Sequence, residues 1–375
     1  MQYKSFRKLW KKLEKIYPCI GKTAKMIKEL YLYSMQNLQP VTIKDIARKL
    51  GISASTVSRA LRGSTEIKED TRKLVVDLAK ELKYTPNPIA LSLKEKKSKV
   101  IGVIVPEIAN YFCSAVIGGI EDIAYNSGYH VVIFQSHEKY EREVANISLL
   151  ASRRIDGLII SVSNETKDGK HLSELIDKGI PVVMFDRICE ETDAPRVVTD
   201  DTRGAYGATC HLIEQGYQRI AHIAMAPYLS VTKNRMKGYT DALKQHNIPI
   251  EKKWIVHADF DFAHIRKALI KLLRNNPKPD AILASSERIA TDCFEVLKEM
   301  GLRIPEDIAM AGFFDNPVYR FIDPPLTAIH QPTFDIGQSA ARLLITMIEH
   351  NILHPQYKTI ELKTTMEIRA STMKK

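Results

Sequence analysis

From Val100 to the neighbourhood of His350, short β-rich runs alternate with amphipathic helical stretches, and that alternation constrains the fold more than any other feature of the chain. A strand followed by a crossover helix returns parallel to its predecessor, so the pattern calls for parallel sheets covered by helices on both faces. Strand-like runs stand at Val100–Val105, Tyr129–Gln135, Gly157–Ser161, Val182–Phe185, Ile220–Met225, Ile255–His257, Ala281–Ala284 and Ile308–Gly312. Helical patterns lie between and after them, near 112–127, 138–152, 170–178, 202–216, 234–246, 262–275, 287–300 and 333–350. So many units suggest two similar α/β lobes with a cleft between them. Lobe 1 is expected over about 100–199 and 330–352, lobe 2 over about 200–329 and 353–375.

Open parallel sheets bind ligands beyond the carboxyl ends of their strands. The residues just after each run are therefore the candidates: Tyr111 and Phe112, Ser136, Ser161, Asp186 and Arg187, Asp259 and Phe260, Ser286 and Glu287, and Phe314 and Asp315. Any one of them is equally well read as a loop residue or a helix cap. Taken together, polar and aromatic groups gathered on one edge suit a small polar ligand.

The formal net charge of +11 is uneven. Residues 1–40 carry nine Lys/Arg against two Glu, and residues 41–99 carry fourteen basic against seven acidic side chains, which leaves −3 for residues 100–375. The basic end is a candidate contact for a polyanion, nucleic acid or an anionic membrane surface, on a body of ordinary surface charge. Within residues 1–34, Phe6, Leu9, Trp10, Leu13, Ile16 and Tyr17 fall at helical spacing among lysines and Arg7. Three readings of this basic extension, 1–40, stay open: a surface helix touching DNA or lipid, a helix docking on the body, or sequence upstream of a true start at Met35. The last is favoured, because structural logic begins only after that methionine.

That logic is clearest in Thr42–Gly63, TIKDIARKLGISASTVSRALRG. Thr42 and Asp45 stand at capping-box spacing, and Ile43, Ile46, Ala47 and Leu50 share one helical face. Gly51 can take the left-handed conformation of a sharp turn, Ile52 plugs the corner, and Ser53 caps a second helix with Val57, Ala60 and Leu61 turned inward. Small, glycine and apolar residues at Ala47, Gly51 and Val57 meet the packing needs of a DNA-binding helix-turn-helix. An ordinary helical hairpin would not need the outward set Ala54, Ser55, Thr56, Ser58 and Arg59. Short polar groups suit base edges and phosphates, and an arginine can grip guanine with two hydrogen bonds. Thr42, Ser53 and Arg62 are further DNA-contact candidates. A third helix, Lys68–Leu82, is expected to pack through Thr71, Leu74, Val75, Leu78 and Leu82 and to complete a head spanning 41–84. Two prolines then stop it, and a short apolar and basic linker, 85–99, follows.

The run from Thr42 to Lys99 resembles the head of lactose-repressor and purine-repressor type regulators, the LacI/GalR family. The segment YTPNPIALSL matches that family's hinge helix. The resemblance implies that Leu93 wedges between base pairs in the minor groove, with Ala90 as its small neighbour and Asn87 and Lys94 as flanking contacts. Leu91 departs from the polar or basic residue common there, and a flexible charged linker is the plain alternative. The likeness runs on through IGVIVPEIANYF, RIDGLIIS, GIPVVMFDR, HLIEQGYQRIAHI, MGLRIPEDIAMAGF and PPLTAIHQP, in order. It implies an α/β fold class: an all-α helix-turn-helix head on a two-lobed core of parallel sheets like that of periplasmic binding proteins, the core spanning 100–375. By the same resemblance, Tyr111 and Phe112 clasp a ligand, Asp186 stands at the lobe interface, Arg235 contacts the ligand and Phe260 forms an aromatic wall. GFFDN puts Phe314 where many members hold sugar hydroxyls or a purine with an aspartate, and Asp315 one place later. A phenyl ring accepts no such hydrogen bond. Two readings stay open: the effector is another metabolite, or Asp315 swings in.

Nothing in the chain assembles catalysis. No nucleophile elbow, Walker A loop, HExxH or post-strand GxGxxG occurs, and His330 in IHQP reads as structural. Cysteines at 19, 113, 189, 210 and 293 form no CxxC pair and stand apart from histidines at zinc spacing, which fits reduced thiols in a cytoplasmic protein. A Rossmann-like enzyme and a solute-binding transport protein are the rival readings, the second opposed by the DNA-reading head and by charges throughout the amino-terminal stretch. The expectation is a transcription regulator, most simply a repressor, with no cofactor or metal and no membrane partner. A homodimer should bind a palindromic double-stranded operator, because one head reads only a half-site. A small-molecule effector, a sugar or other metabolite, should change operator affinity by about 1–3 kcal/mol. No heptad tail follows residue 372, so a tetramer is not expected.

Overall fold

The computed structural model describes residues 41–85, 97–257, 262–275, 277–356 and 358–374. The expectations for residues 1–40 and for Asn87, Ala90, Leu91, Leu93, Lys94, Asp259 and Phe260 fall outside them. The chain divides into two compact units, Met1–Lys94 and Glu95–Lys375.

Among the described residues, the first unit holds three helices: α1 (Ile43–Leu50), α2 (Ala54–Leu61) and α3 (Glu69–Glu81). Ile46, Val57 and Val75 are fully buried at its centre, with Ala47, Ala60 and Ala79 between them, and the alanines let the helices cross closely. Leu74 corrects the expected packing stripe of α3, since it stands 61% exposed. The stripe runs through Val75, Ala79 and Leu82 at the i, i+4, i+7 spacing, and Leu74 lies one residue, about 100°, off it.

The second unit holds two six-stranded sheets. In lobe 1 the order is β11 (Thr359–Leu362), β5 (Arg196–Thr199), β4 (Val182–Phe185), β3 (Gly157–Ile160), β1 (Val100–Val105), β2 (His130–Gln135). All five pairings are parallel. In lobe 2 the order is β12 (Thr365–Glu367), β10 (Thr327–His330), β9 (Ala309–Phe313), β8 (Ala281–Ala284), β6 (Ile220–Ala224), β7 (Ile255–His257), and only β12 is antiparallel, to β10. Alternate residues of each central strand serve opposite faces. Ile101, Val103 and Val105 pack on α4 (Tyr111–Asn126) and α11 (Thr333–His350), whereas Ile104 faces α5 (Tyr140–Ser152) and α6 (Lys170–Asp177). Lobe 2 repeats the scheme, with α7 (Asp201–Glu214) and α8 (Ser230–Gln245) on one face and α9 (Phe262–Leu273) and α10 (Glu287–Glu299) on the other.

Glycine sets how closely the paired helices approach. A Cβ on Gly337 would sit 2.0 Å from the Val116 carbonyl oxygen, and one on Gly119 would sit 2.1 Å from that of Phe334, so α4 and α11 touch backbone to backbone. Gly238 of α8 approaches the Thr202 carbonyl of α7 in the same way, at 2.1 Å. No side chain fits between these helices.

Three crossovers join the lobes, at Asp200, at Gln331–Pro332 and at Lys363–Thr364. The third corrects the expected boundary, because Thr359–Leu362 pairs with Arg196–Thr199 in lobe 1 rather than belonging to lobe 2. A short strand of alternating exposure satisfies the edge of either sheet, and only the pairing decides. The crossovers are tied side by side. Asp200 Oδ1 accepts from Thr364 N at 2.6 Å and Thr364 Oγ1 at 2.7 Å, and Gln331 Nε2 donates to Thr199 Oγ1 at 3.1 Å. No described helix is long and apolar enough to cross a membrane.

Candidate functional site

Helix α2 is built by its caps. Gly51 ends α1 with φ of 65°, and Ser53 Oγ accepts from Thr56 N at 3.1 Å, closing the first turn of α2. Thr42, expected at DNA, turns its hydroxyl to Asp45 Oδ2 at 2.7 Å, and its own N–H donates to the same carboxylate at 3.0 Å. Those two bonds hold the Asp45 carboxyl below its ordinary pKa. Ala54, Ser55 and Arg59 are exposed on α2, with Thr56 and Ser58 half-buried between them. Arg59 pairs with Glu66 at 2.9 Å, and Arg62 Nε donates to the Ser58 carbonyl at 3.0 Å. Both members of the Arg59 pair are solvated, so the ion pair is weak and the guanidinium is held ready rather than consumed.

In the body, the carboxyl ends of the two sheets meet around a closed cleft with a free volume of about 50 Å³ at its centre. Phe112, Asp186, Arg187, Arg235, Glu287, Phe314 and Asp315 line it, as expected. Tyr111 does not: consecutive residues in the first turn of α4 point about 100° apart, and Phe112 takes the inward place. Ser136 and Ser161 are buried but form no part of the wall, and their hydroxyls have no hydrogen-bond partner among the described residues. The sequence reading missed Glu138, Gln331, Met225 and Phe313, which all face the cleft. Gln331 escaped because β10 was not recognised as a strand, so its carboxyl end drew no attention. Glu138 lies two residues beyond Ser136, on a loop that rises further than the strand end alone suggests.

Electrostatics hold the wall in place. Arg187 Nη1 donates to Glu138 Oε2 at 2.8 Å, and Arg187 Nη2 reaches Met225 Sδ of the other lobe at 3.7 Å. Arg235, buried, bonds Asp201 Oδ1 at 2.8 Å and the Ser285 carbonyl, and its guanidinium lies 3.9 Å from the centre of the Phe313 ring. Asp315 Oδ1 accepts from Gln331 N at 2.8 Å, with His330 Nδ1 at 3.3 Å, while Phe314 is buried against Tyr319 with ring centres 4.4 Å apart. Asp315 therefore faces the cleft from the position after the missing aspartate. His137, Glu138 and Asp186 hold left-handed φ angles of 50°, 60° and 56°. Such conformations are costly for residues with a Cβ and gather where a surface must be shaped.

Burial pushes the Asp186 carboxyl up to about 6, against the pull of Arg187 and Arg235, and burial with the like charge of Asp315 pushes Glu287 up to about 7. A carboxyl with a raised folded-state pKa stabilises the fold fully below its unfolded pKa and loses that contribution as pH rises through the folded value. Glu287→Gln is accordingly expected to raise stability at pH 8 by about 1–2 kcal/mol, discounted for partial exposure, and to change little at pH 5. Thermal unfolding at the two pH values checks this, and equal melting points at pH 8 would refute it.

Two family models match the chain: "Bacterial regulatory proteins, lacI family" over residues 42–87 and "Periplasmic binding proteins and sugar binding domain of LacI family" over residues 98–368. Catabolite control protein A of Priestia megaterium is 31% identical over 333 residues, 88% of this chain and 99% of that protein. The HTH-type transcriptional repressor CytR of Escherichia coli strain K12 is 34% identical over 308 residues, 82% of this chain and 90% of its own. Among solved structures, the lac repressor dimer bound to operator and the anti-inducer ONPF superposes with a TM-score of 0.77 at 25% identity, covering 90% of this chain and 100% of that one.

Proposed function

Since the chain belongs to the LacI family, as a DNA-binding transcriptional repressor with an effector-binding body and not an enzyme, we propose that it acts as a homodimer on a palindromic operator, its affinity set by a small polar metabolite in the cleft. One observation carries this reading. A single polypeptide joins a Ser53-capped helix exposing Ala54, Ser55 and Arg59 to a body whose sheet ends collect acids, arginines and phenyl rings around one cleft.

A dimer is supported by apolar surface. Strand β2 lies at the edge of its sheet with Val132 and Ile133 both 39% exposed, and Phe321 of lobe 2 is 84% exposed. An apolar edge strand is a pairing surface that a lone soluble subunit would have reason to hide. The lac repressor structure is itself of a dimer on operator. Two-fold symmetry would present two copies of α2 to successive major grooves.

On this reading Thr42 serves as a helix cap, and Ser53, Ala54, Ser55, Thr56, Ser58, Arg59 and Arg62 face DNA, with Asn87, Ala90, Leu93 and Lys94 in the hinge segment. The effector contacts are Phe112, Asp186, Arg187, Arg235, Glu287, Phe314 and Asp315. Its work belongs with DNA in the cytoplasm.

Selection of bound sequences from random duplexes, with and without a metabolite library, tests the reading. An inverted repeat should emerge, and enrichment should change when the right metabolite is present. Retention of no sequence over bulk competitor DNA at physiological salt would end it. Leu93→Ala is expected to weaken operator binding about tenfold while barely changing non-specific binding. Equal loss on both, in titrations at fixed salt, would remove the wedge assignment.

A further inference from the structure

We propose that the effector bears a cationic nitrogen and that Glu287, at the start of α10, receives it; this rests on the cleft being the effector site.

Five carboxyl groups face the cleft against two guanidinium groups, a negative excess even with Asp186 and Glu287 partly protonated near neutral pH, and both guanidinium groups are already engaged, Arg187 with Glu138 at 2.8 Å and Arg235 with Asp201 at 2.8 Å. The other acids have partners of their own. Glu107 lies 3.4 Å from His137, Asp315 is held by Gln331 N, and Asp186 stands 4.0 Å from Arg187 Nε. Glu287 differs. No lysine, arginine or histidine pairs with it among the described residues, its Oε2 is buried without a hydrogen-bond partner, and the charge facing it is the like charge of Asp315. Asn316 is its one side-chain hydrogen-bond partner.

A half-buried carboxylate without a counterion costs stability, and the hydrogen bond from Asn316 and the start of α10 offset that cost without bringing a full positive charge to it. Phe314 and Tyr319 pack against each other without its help. An anionic ligand, such as a phosphorylated or acidic metabolite, would meet a net negative wall with no unengaged arginine. A neutral ligand could hydrogen-bond Oε2 but would leave the charge excess in place. A protonated amine or amidine answers both, since it donates to Oε2 and brings the missing positive charge into a low-dielectric site, with the phenyl rings of Phe112 and Phe314 among its neighbours in the wall.

Two probe sets decide the matter: small primary amines and amidines, and their N-acetylated or hydroxyl counterparts of the same skeletons, with carboxylated analogues added. Thermal shift of the full chain and its operator affinity are measured for each. The amines are expected to stabilise the protein and to alter operator binding, while their neutral and anionic counterparts do not. In Glu287→Gln the amines should lose about tenfold or more in affinity, the scale of one charge-assisted hydrogen bond, and Glu287→Asp should recover part of it. The melting curve of each variant reports its folding independently. Hits among neutral or anionic probes, or amines bound equally well by Glu287→Gln, would overturn the charge assignment and leave the cleft as effector site. Binding by no probe of any class would overturn both.

Discussion

Gly337→Val is expected to lower the melting temperature of the body by roughly 10 °C, corresponding to about 3–5 kcal/mol. The cause is local. A Cβ at this position would lie 2.0 Å from the Val116 carbonyl oxygen and 2.9 Å from Ile120 N, which are backbone atoms of α4 and cannot swing aside as a flexible side chain could. Helices α4 and α11 would have to separate, and Val116, Ile120, Ile336, Ala340 and Leu344, all buried along that seam, would lose their close packing together. The reciprocal contact of Gly119 on Phe334 means that relief at one glycine strains the other. Gly207, on α7, is the control, since a Cβ there meets nothing within 4 Å. Gly207→Ala should stabilise by about 0.5–1 kcal/mol through helix propensity and a less flexible unfolded chain. Calorimetry on the two variants separates close approach from glycine as such, and a wild-type melting point for Gly337→Val would sink the account.

Arg59→Ala is expected to relax preference at one base pair of each half-site by roughly 1–3 kcal/mol while leaving other positions as selective as before. Arg59 lies on the exposed face of α2, one helical turn on from Ser55, and its present partner Glu66 is a solvated carboxylate from which DNA can take it at little cost. A guanine edge offers two acceptors to the planar fork, and alanine offers neither. Titration of the variant against an operator and its single-base substitutions provides the check. A uniform loss across all sequences, with a shallower salt dependence, would make Arg59 a phosphate contact instead.

The parts of this molecule legible in the sequence are those whose determinants are local. Ser53 and Gly51 cap helices by their own chemistry, and the buried strands β1, β3, β4, β8 and β9 are continuous apolar runs, as is β6 apart from His222. Strands β5, β10, β11 and β12 were invisible for the opposite reason. Each is short, and RVVT, TAIH, TIEL and TME become strands by what they pair with rather than by their composition. Missing β10 hid Gln331, and assigning 353–375 wholly to lobe 2 hid the third crossover. At the cleft, strand ends pointed to Asp186, Glu287 and Asp315, which line it. Tyr111 against Phe112 turned on a helix phase that spacing cannot fix, and Leu74 failed because an apolar residue next to a packing stripe looks the same as one within it.

The tied crossovers have a mechanical consequence. With Asp200 bonded to Thr364 and Gln331 to Thr199, sliding of the lobes along that hem would break these bonds, whereas a pivot about it would keep them. Away from the hem, the lobes are bridged among the described residues by Ile188 N to Ser230 Oγ at 3.1 Å, Tyr228 Oη to the Asn164 carbonyl and Arg187 on Met225, with Lys167 Nζ 5.9 Å from the centre of the Tyr228 ring. Bonds of this kind contribute about 1 kcal/mol each, so together they favour this posture of the lobes by only a few kcal/mol. A ligand of the cleft with a modest preference for one posture, a hundredfold or so, acts on the same scale as these bonds.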